Sequence, residues 1–280
     1  MAAPAAGRDA ASARQRSLER RGLRPGLRVL VTGGAGGIGL AIARACHDEG
    51  ARVHVCDIDA GRLAGPDSAL PQEVGRSHAD VGRASDVDRL FDDVRQSLGG
   101  LDVLVNNAAV TGPVGAIETN DPDDWARTIH VNLVGHFHCT RRAVPLLREA
   151  GGGSIVNLSS IAGRLGSPQR SAYAASNWVI VGLTESLAME LGRDDIRVNA
   201  ILPGIVAGER QTRVQRERAG ALGIGEAEMA DRYVSNVSLH RKVDAQEIAD
   251  TVIWLCSEAA RSVSGRSIGV CGNVETMRRG

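Results

Sequence analysis

Lysine is almost missing from this chain. Of its 33 lysine and arginine residues, Lys242 alone is a lysine. We read this as a compositional bias toward arginine, and it leaves no ammonium close in sequence to any other candidate residue. A net charge is missing too, because 33 basic residues balance 33 acidic ones. Neither nucleic acid nor a membrane surface gains a bulk attraction from such a chain. Five cysteines, Cys46, Cys56, Cys139, Cys256 and Cys271, are scattered and odd in number. No pair has metal-ligand spacing, which argues against a zinc site and for reduced thiols in a cytoplasmic protein. His136 and His138 alternate in an apolar run without carboxylates or cysteines beside them, so no metal is expected. No run approaches the roughly 20 apolar residues of a membrane span. Residues 1–25 lack the continuous apolar stretch of a signal peptide, and Asp9 and Glu19 weigh against a transit peptide. They read as a flexible N-terminal extension, with one domain over residues 26–280.

What is present is a regular alternation of elements. The 280 residues are 43% hydrophobic, enough for one large α/β core. Strand-like apolar runs cover Leu27–Thr32, Arg52–Cys56, Leu101–Asn106, Ser154–Ser159, Arg197–Leu202 and Ser267–Val270. Helical patterns cover Ile38–Glu49, Asp86–Leu98, Pro122–Glu149, Ser171–Leu191 and Asp244–Ser257, the last with Asp244 as a candidate cap. Short apolar strands between helices predict a Rossmann-type, doubly wound parallel sheet in three layers, forming a single domain. Residues 204–240 interrupt the alternation and are charged. A long excursion of this kind reads as a substrate lid.

Between the first strand and helix lies Thr32-Gly33-Gly34-Ala35-Gly36-Gly37-Ile38-Gly39. Glycines let a backbone approach a pyrophosphate, and the helix N-terminus offers unpaired N–H groups and partial positive charge. The strand-turn-helix context makes this a dinucleotide site. Asp57 ends the second strand. A carboxylate there accepts hydrogen bonds from both adenosine ribose hydroxyls and repels a 2′-phosphate, and no arginine directly follows it. NAD is therefore the expected cofactor.

Further along, Tyr173-Ala174-Ala175-Ser176-Asn177 nearly spells a proton-transfer pair, with Ser160 thirteen residues before the tyrosine. A lysine four residues after a tyrosine on one helix lowers the phenol pKa. Here that position is Asn177, which is uncharged.

From about Arg28 to Gly272 the chain resembles the short-chain dehydrogenase/reductase family. The glycine turn matches its Thr-Gly-x-x-x-Gly-x-Gly pattern, which implies cofactor contacts at Gly33, Gly37, Ile38 and Gly39. Asp80-Val81 resembles the pair that meets the adenine ring. Asn106-Asn107-Ala108-Ala109 is similar to Asn-Asn-Ala-Gly, with Asn107 on the cofactor. Asn132 matches the catalytic asparagine, and Pro203-Gly204 the turn beside the nicotinamide. The resemblance implies the strand order 3-2-1-4-5-6-7. It also implies a homodimer or homotetramer assembled through the helices around 122–149 and 171–191, with Trp178 as an interface or core residue.

It implies roles as well. Ser160 holds the substrate oxygen, Tyr173 moves the hydroxyl proton, and Asn132 joins a relay. The family's lysine, which would hold the nicotinamide ribose and activate the tyrosine, is absent. An unperturbed tyrosine is phenolate in only about one molecule in a thousand at pH 7. The Asn177 amide is placed to bond a ribose hydroxyl but not to lower that pKa. Carbonyl reduction, which uses neutral tyrosine as acid, should therefore suffer less than alcohol oxidation.

The expected activity is NAD(H)-dependent interconversion of a secondary alcohol and a ketone, biased to reduction, on a small-molecule substrate. The alternatives are a non-redox dehydratase, isomerase or cyclase on this scaffold, or a silent NAD-binding subunit. The substrate pocket should involve Val110–Val114, Arg164–Gln169 and residues 204–240. Arg164 and Arg170 read as solvated arginines; the other reading has them binding a substrate acid or supplying missing positive charge. Met229 and Tyr233 fit a lid lining and helical packing equally well.

Overall fold

The computed structural model describes residues 22–65 and 68–274. Most of the expected extension lies outside the described residues. Its end does not behave as one: Leu23 is 5% exposed within the apolar core, and its N–H reaches Glu49 Oε2 at 3.3 Å.

Valine and isoleucine runs fill the strands because branched side chains suit a sheet covered on both faces. The strands are β1 (Arg28–Thr32), β2 (Arg52–Asp57), β3 (Gly75–His78), β4 (Val103–Asn106), β5 (Gly153–Leu158), β6 (Ile196–Pro203) and β7 (Ser267–Val270). They form one sheet in the order β3-β2-β1-β4-β5-β6-β7, and every neighbouring pair is parallel. The helices are α1 (Gly37–Asp48), α2 (Ala60–Ala64), α3 (Ala84–Leu98), α4 (Pro122–Ile129), α5 (Gly135–Glu149), α6 (Ser171–Leu191), α7 (Glu209–Leu222), α8 (Glu226–Ser235) and α9 (Ala245–Cys256).

Alternation along each strand splits the core in two. Val29, Val31, Val103 and Val105 face α1 and α9 through Ile42, Ala43, Ile248 and Val252. Leu30, Leu104, Ile155 and Val198 face α3 and α5 through Leu90, Val94, Cys139 and Leu147. Each of the buried valines, leucines and isoleucines among them is worth about 1.5–3 kcal/mol. These contacts make the three layers one body. As expected, Asp244 caps α9, and Glu247 completes a capping box by accepting the Asp244 N–H at 2.8 Å.

The chain departs from its expected pattern in two places. Strand β3 and helix α2 were not anticipated. β3 reads Gly-Arg-Ser-His and lies at the sheet edge, so it carries no apolar run. The expected helix over Pro122–Glu149 is broken by a π-helical segment, His130–Val134, between α4 and α5. Such widened turns recur at functional sites, and this one contains Asn132.

The order of the sheet reverses between β1 and β4. This opens a crevice at the carboxyl ends of the strands, where Thr32, Asp57, Asn106 and Ser159 all fall.

Candidate active site

The glycine turn has the shape its sequence requires. Gly33 has φ +61°, and a Cβ there would lie 2.9 Å from Ala108 Cα. A Cβ on Gly39 would collide with the Gly33 carbonyl oxygen. Around Gly37 nothing lies within 4 Å of a Cβ position, so the turn is open on that side. The N-cap of α1, Gly36, provides no side-chain hydrogen bond to the helix start. An open backbone cradle with uncapped N–H groups fits a pyrophosphate. Ile38 packs against the core beneath.

The turn is held from behind by the two residues that follow β4. Thr32 Oγ1 accepts the N–H groups of Asn107 and Ala108, both at 3.0 Å. Asn107 Nδ2 donates to Thr32 O at 2.9 Å and Gly33 O at 3.0 Å. Asn107 thus shapes the turn through its amide. Asp57 Oδ2 accepts the Ala35 N–H, and Oδ1 the Asp59 N–H, each at 3.1 Å. Asp57 is thereby fixed beside the turn. Asp80 accepts the Gly82 N–H at 2.9 Å, and Val81 is buried with its carbonyl bonded by His138 Nδ1 at 3.1 Å. Pro203 ends β6, and the Gly204 N–H bonds Val270 O at 2.9 Å. A Cβ on Gly204 would lie 2.6 Å from Cys271 Cα.

Asn132, Ser160, Tyr173 and Asn177 are linked through their neighbours. Asn132 binds the backbone of Val110 twice, Oδ1 accepting its N–H at 2.8 Å and Nδ2 donating to its carbonyl at 3.0 Å. Nδ2 also donates to Ser176 Oγ at 3.1 Å, which ties the π-helical segment to α6. On the other side, Ser159 Oγ donates to the Asn177 carbonyl at 2.9 Å. That bond holds the Ser160 turn against the same stretch of α6. Ser160 Oγ accepts the Ala162 N–H at 3.2 Å.

Asn177 is buried, and its Nδ2 donates to the Tyr173 carbonyl at 2.8 Å. The expected reach to a ribose hydroxyl therefore competes with a bond back to its own helix, a common habit of short polar side chains.

Arg170 is the residue that sequence reasoning placed in solvent and the structure does not. Its guanidinium stacks on the Tyr173 ring and donates to Thr111 O at 3.3 Å. The i, i+3 spacing from Arg170 to Tyr173 was the available signal. The two loops expected to line the pocket also come together at their ends, where the Gly115 N–H, just past Val114, donates to Gln169 O at 3.0 Å. Residues 204–240 contribute α7 and α8, and Met229 is buried. Tyr233 packs with Ile161, Leu165 and Cys271 in an apolar cluster next to Ser160.

Several other titratable groups are buried beneath these residues, His136 beside the Asn132 backbone and Cys56 beside that of Gly33. Burial pushes the His54 and His136 imidazoles down to about 4. Burial also pushes the Cys56 thiol up to about 12 and the Cys256 thiol up to about 11. All five cysteines are free thiols. Among the described residues no group of three or more His, Cys, Asp or Glu is placed to hold a metal ion. No helix among them is long and apolar enough to cross a membrane.

Comparison with known proteins agrees with this geometry. A family model described as enoyl-(acyl carrier protein) reductase matches residues 33–273. Trans-4-hydroxycyclohexanecarboxylate dehydrogenase of Sinomonas cyclohexanicum is 34% identical over 252 residues, covering 87% of this chain and 90% of that protein. The structure of NAD+-bound xylitol dehydrogenase superposes with a TM-score of 0.83 at 29% identity, covering 89% of this chain and 99% of the other. L-sorbose reductase from Gluconobacter frateurii, complexed with NADPH and L-sorbose, gives 0.84 at 27% identity, covering 91% and 98%.

Proposed function

The chain belongs to the short-chain dehydrogenase/reductase family of oxidoreductases, and from that premise we propose that it interconverts a secondary alcohol and a ketone with NAD(H), favouring carbonyl reduction. The observation that carries this reading is the pair of bonds from Asn132 to Ser176 and from Ser159 to Asn177. They gather the Ser160 turn, the π-helical segment and the Tyr173 helix at the mouth of the crevice.

A bound nicotinamide supplies or takes the hydride. Gly33, Gly37, Ile38 and Gly39 cradle the pyrophosphate, and Asp57 takes the adenosine ribose. Asp80, Val81, Asn107, Pro203 and Gly204 shape the adenine and nicotinamide ends. The Ser160 hydroxyl holds the substrate oxygen. Tyr173 gives that oxygen its proton in reduction and takes it back in oxidation. Asn132 holds Val110 and Ser176, and so fixes the wall behind Tyr173.

Reduction needs only the neutral phenol. Oxidation needs phenolate, and the residue that would favour phenolate is an amide. The preference for NAD(H) rests on Asp57, whose carboxylate repels a 2′-phosphate. Substrates are small hydroxy or keto compounds, and residues 204–240 close over them as a lid. Trp178, Phe137, Val179 and Met189 are exposed on α5 and α6, Trp178 at 51%. Such exposed apolar side chains support self-association through these helices as a homodimer or homotetramer.

The test measures NADH consumption with a panel of ketones and NAD reduction with the matching alcohols. Reduction should be the faster direction at pH 7, and Tyr173→Phe should lower it at least a hundredfold. Full turnover in Tyr173→Phe would remove the assigned acid. A product isomeric with the substrate, with no change in NADH, would replace redox by non-redox chemistry.

A further inference from the structure

Lys242, the one lysine among 33 lysine and arginine residues, stands just before α9 and is half-buried. Its neighbour Val243 pairs with the chain that leaves β6. The Val243 N–H bonds Ile205 O, and the Ala207 N–H bonds Val243 O, both at 2.8 Å. Ile205 in turn clusters with Ile161, the residue after Ser160. Lys242 is therefore fixed beside the stretch that links the Gly204 turn to α7.

There it meets α7. Lys242 Nζ donates to Gln215 Oε1 at 3.0 Å. Gln215 is 6% exposed, and its Nε2 has no hydrogen-bond partner among the described residues. The same is true of the buried Nε2 of Gln211, one helical turn earlier on the same face. Val214 and Ala219 are buried too, so this is the face that α7 turns inward. The inward face of such a helix is ordinarily apolar. Here it carries two carboxamides and meets an ammonium, which keeps further N–H donors after serving Gln215. The Gln215 oxygen is neutral and does not balance the ammonium charge. Buried donors without an acceptor are costly, and an acceptor with negative charge removes that cost.

We propose that Lys242, Gln215 and Gln211 form an anion site on the underside of α7 that receives a carboxylate of the substrate, so that the compounds reduced here are keto acids. The inference rests on the redox reading given above and names its substrate class. One ammonium balances one carboxylate, and two amide NH2 groups share its oxygens. Held at that end, the substrate turns its carbonyl toward Ser160 and Tyr173. A ketone without the acid leaves the amides and the ammonium unpaired, which is how a site built around a polar group rejects an analogue that lacks it. Because two of the three donors belong to α7, the same carboxylate draws that helix over the substrate.

The experiment follows NADH consumption by the full-length protein with 4-oxopentanoate, 5-oxohexanoate and 6-oxoheptanoate, each beside its methyl ester, in wild type, Lys242→Met, Lys242→Arg and Gln215→Met. The series varies the span between carbonyl and acid. Wild type should prefer the best acid over its ester by about tenfold or more in kcat/KM. Lys242→Met should raise KM for that acid about tenfold or more, with less effect on kcat and on the ester, and Lys242→Arg should restore part of the loss. Gln215→Met should act in the same direction more weakly. Equal use of acids and esters by wild type overturns the inference. So does an equal loss for both in Lys242→Met, which would make Lys242 a packing or cofactor contact. A second measurement needs no turnover: calorimetry of hexanoate, which has the acid but no carbonyl, against the NADH-saturated protein. Binding that weakens in Lys242→Met supports the site, and absence of binding or an unchanged affinity overturns it. If no acid or ester consumes NADH, the redox reading fails, and the hexanoate titration alone decides whether the anion site stands.

Discussion

The guanidinium of Arg170 lies 4.0 Å above the centre of the Tyr173 ring. A cation over an aromatic face is attracted by the ring's quadrupole, and more strongly once the ring carries negative charge. In this chain the amide of Asn177 stands one helical turn after the tyrosine, and a cation stands before it. Arg170→Ala should therefore slow alcohol oxidation about three- to tenfold, the range set by roughly 0.5–1.5 kcal/mol of cation–ring attraction. It should slow ketone reduction by less. The check is kcat/KM in both directions at several pH values. Equal losses in both directions would make Arg170 a substrate or packing contact.

Asn177→Lys should act in the opposite sense. An ammonium close to an acid favours its charged form by about one to three pKa units. Oxidation at pH 7 should rise about tenfold or more, while reduction changes little. The new side chain must give up the bond from Asn177 Nδ2 to the Tyr173 carbonyl, but Ser176 Oγ still donates to that carbonyl at 2.9 Å. A small loss in thermal midpoint is expected with the gain in rate. No gain in oxidation would defeat the electrostatic explanation of the reductive bias.

The fold was legible where burial dictates residue type. Six strands were readable from their apolar side chains: β1, β2, β4, β5 and β6 lie inside the sheet, and the edge strand β7 still carries Ile268 and Val270. β3 was not, because Gly75-Arg76-Ser77-His78 has no apolar side chain and is held at the sheet edge by backbone pairing with β2. The glycine turn was legible because its steric demands exclude other residues. The π-helical segment was not, since Val131-Asn132-Leu133 has ordinary helical composition and the widening comes from contacts. These include the bonds from Asn132 to Val110 and Ser176. Arg170 escaped for a related reason. The reach of a long side chain is set by loop geometry, here at Gln169 with φ +61°.

Gly39→Ala isolates the steric argument for the cofactor site. Its Cβ would meet the Gly33 carbonyl oxygen, and Asn107 Nδ2 at 2.5 Å. The turn must open to admit it, and the Asn107 bonds that shape the turn must lengthen. NADH affinity should fall about a hundredfold, an effect of roughly 3 kcal/mol, in keeping with overpacking of a rigid site. Circular dichroism should still report a folded α/β protein. Undiminished NADH binding in a folded Gly39→Ala protein would move the dinucleotide away from this turn.

Acid should unfold the protein in two separate windows. His54 and His136 are held neutral by burial, with folded pKa values of about 4 against an ordinary 6.5. Between those values the unfolded chain binds protons that the folded chain refuses. Stability is therefore full above pH 6.5 and falls as pH drops toward 4, by on the order of 3 kcal/mol for each histidine. The Asp102 carboxylate behaves differently. Burial opposes its charge, but bonds from the Arg28 side chain at 2.8 Å and backbone at 2.9 Å prevail and hold its pKa below 3.8. Its contribution persists until the pH falls below that value. Urea midpoints measured from pH 8 to pH 3 should thus decline first between 6.5 and 4, then again below 4. His136 is the cleaner probe, because its Nε2 has no hydrogen-bond partner among the described residues. His136→Leu should remove about half of the first decline and leave the second intact. A first decline of unchanged size in that variant would show that the imidazole of residue 136 accepts a proton in the folded state.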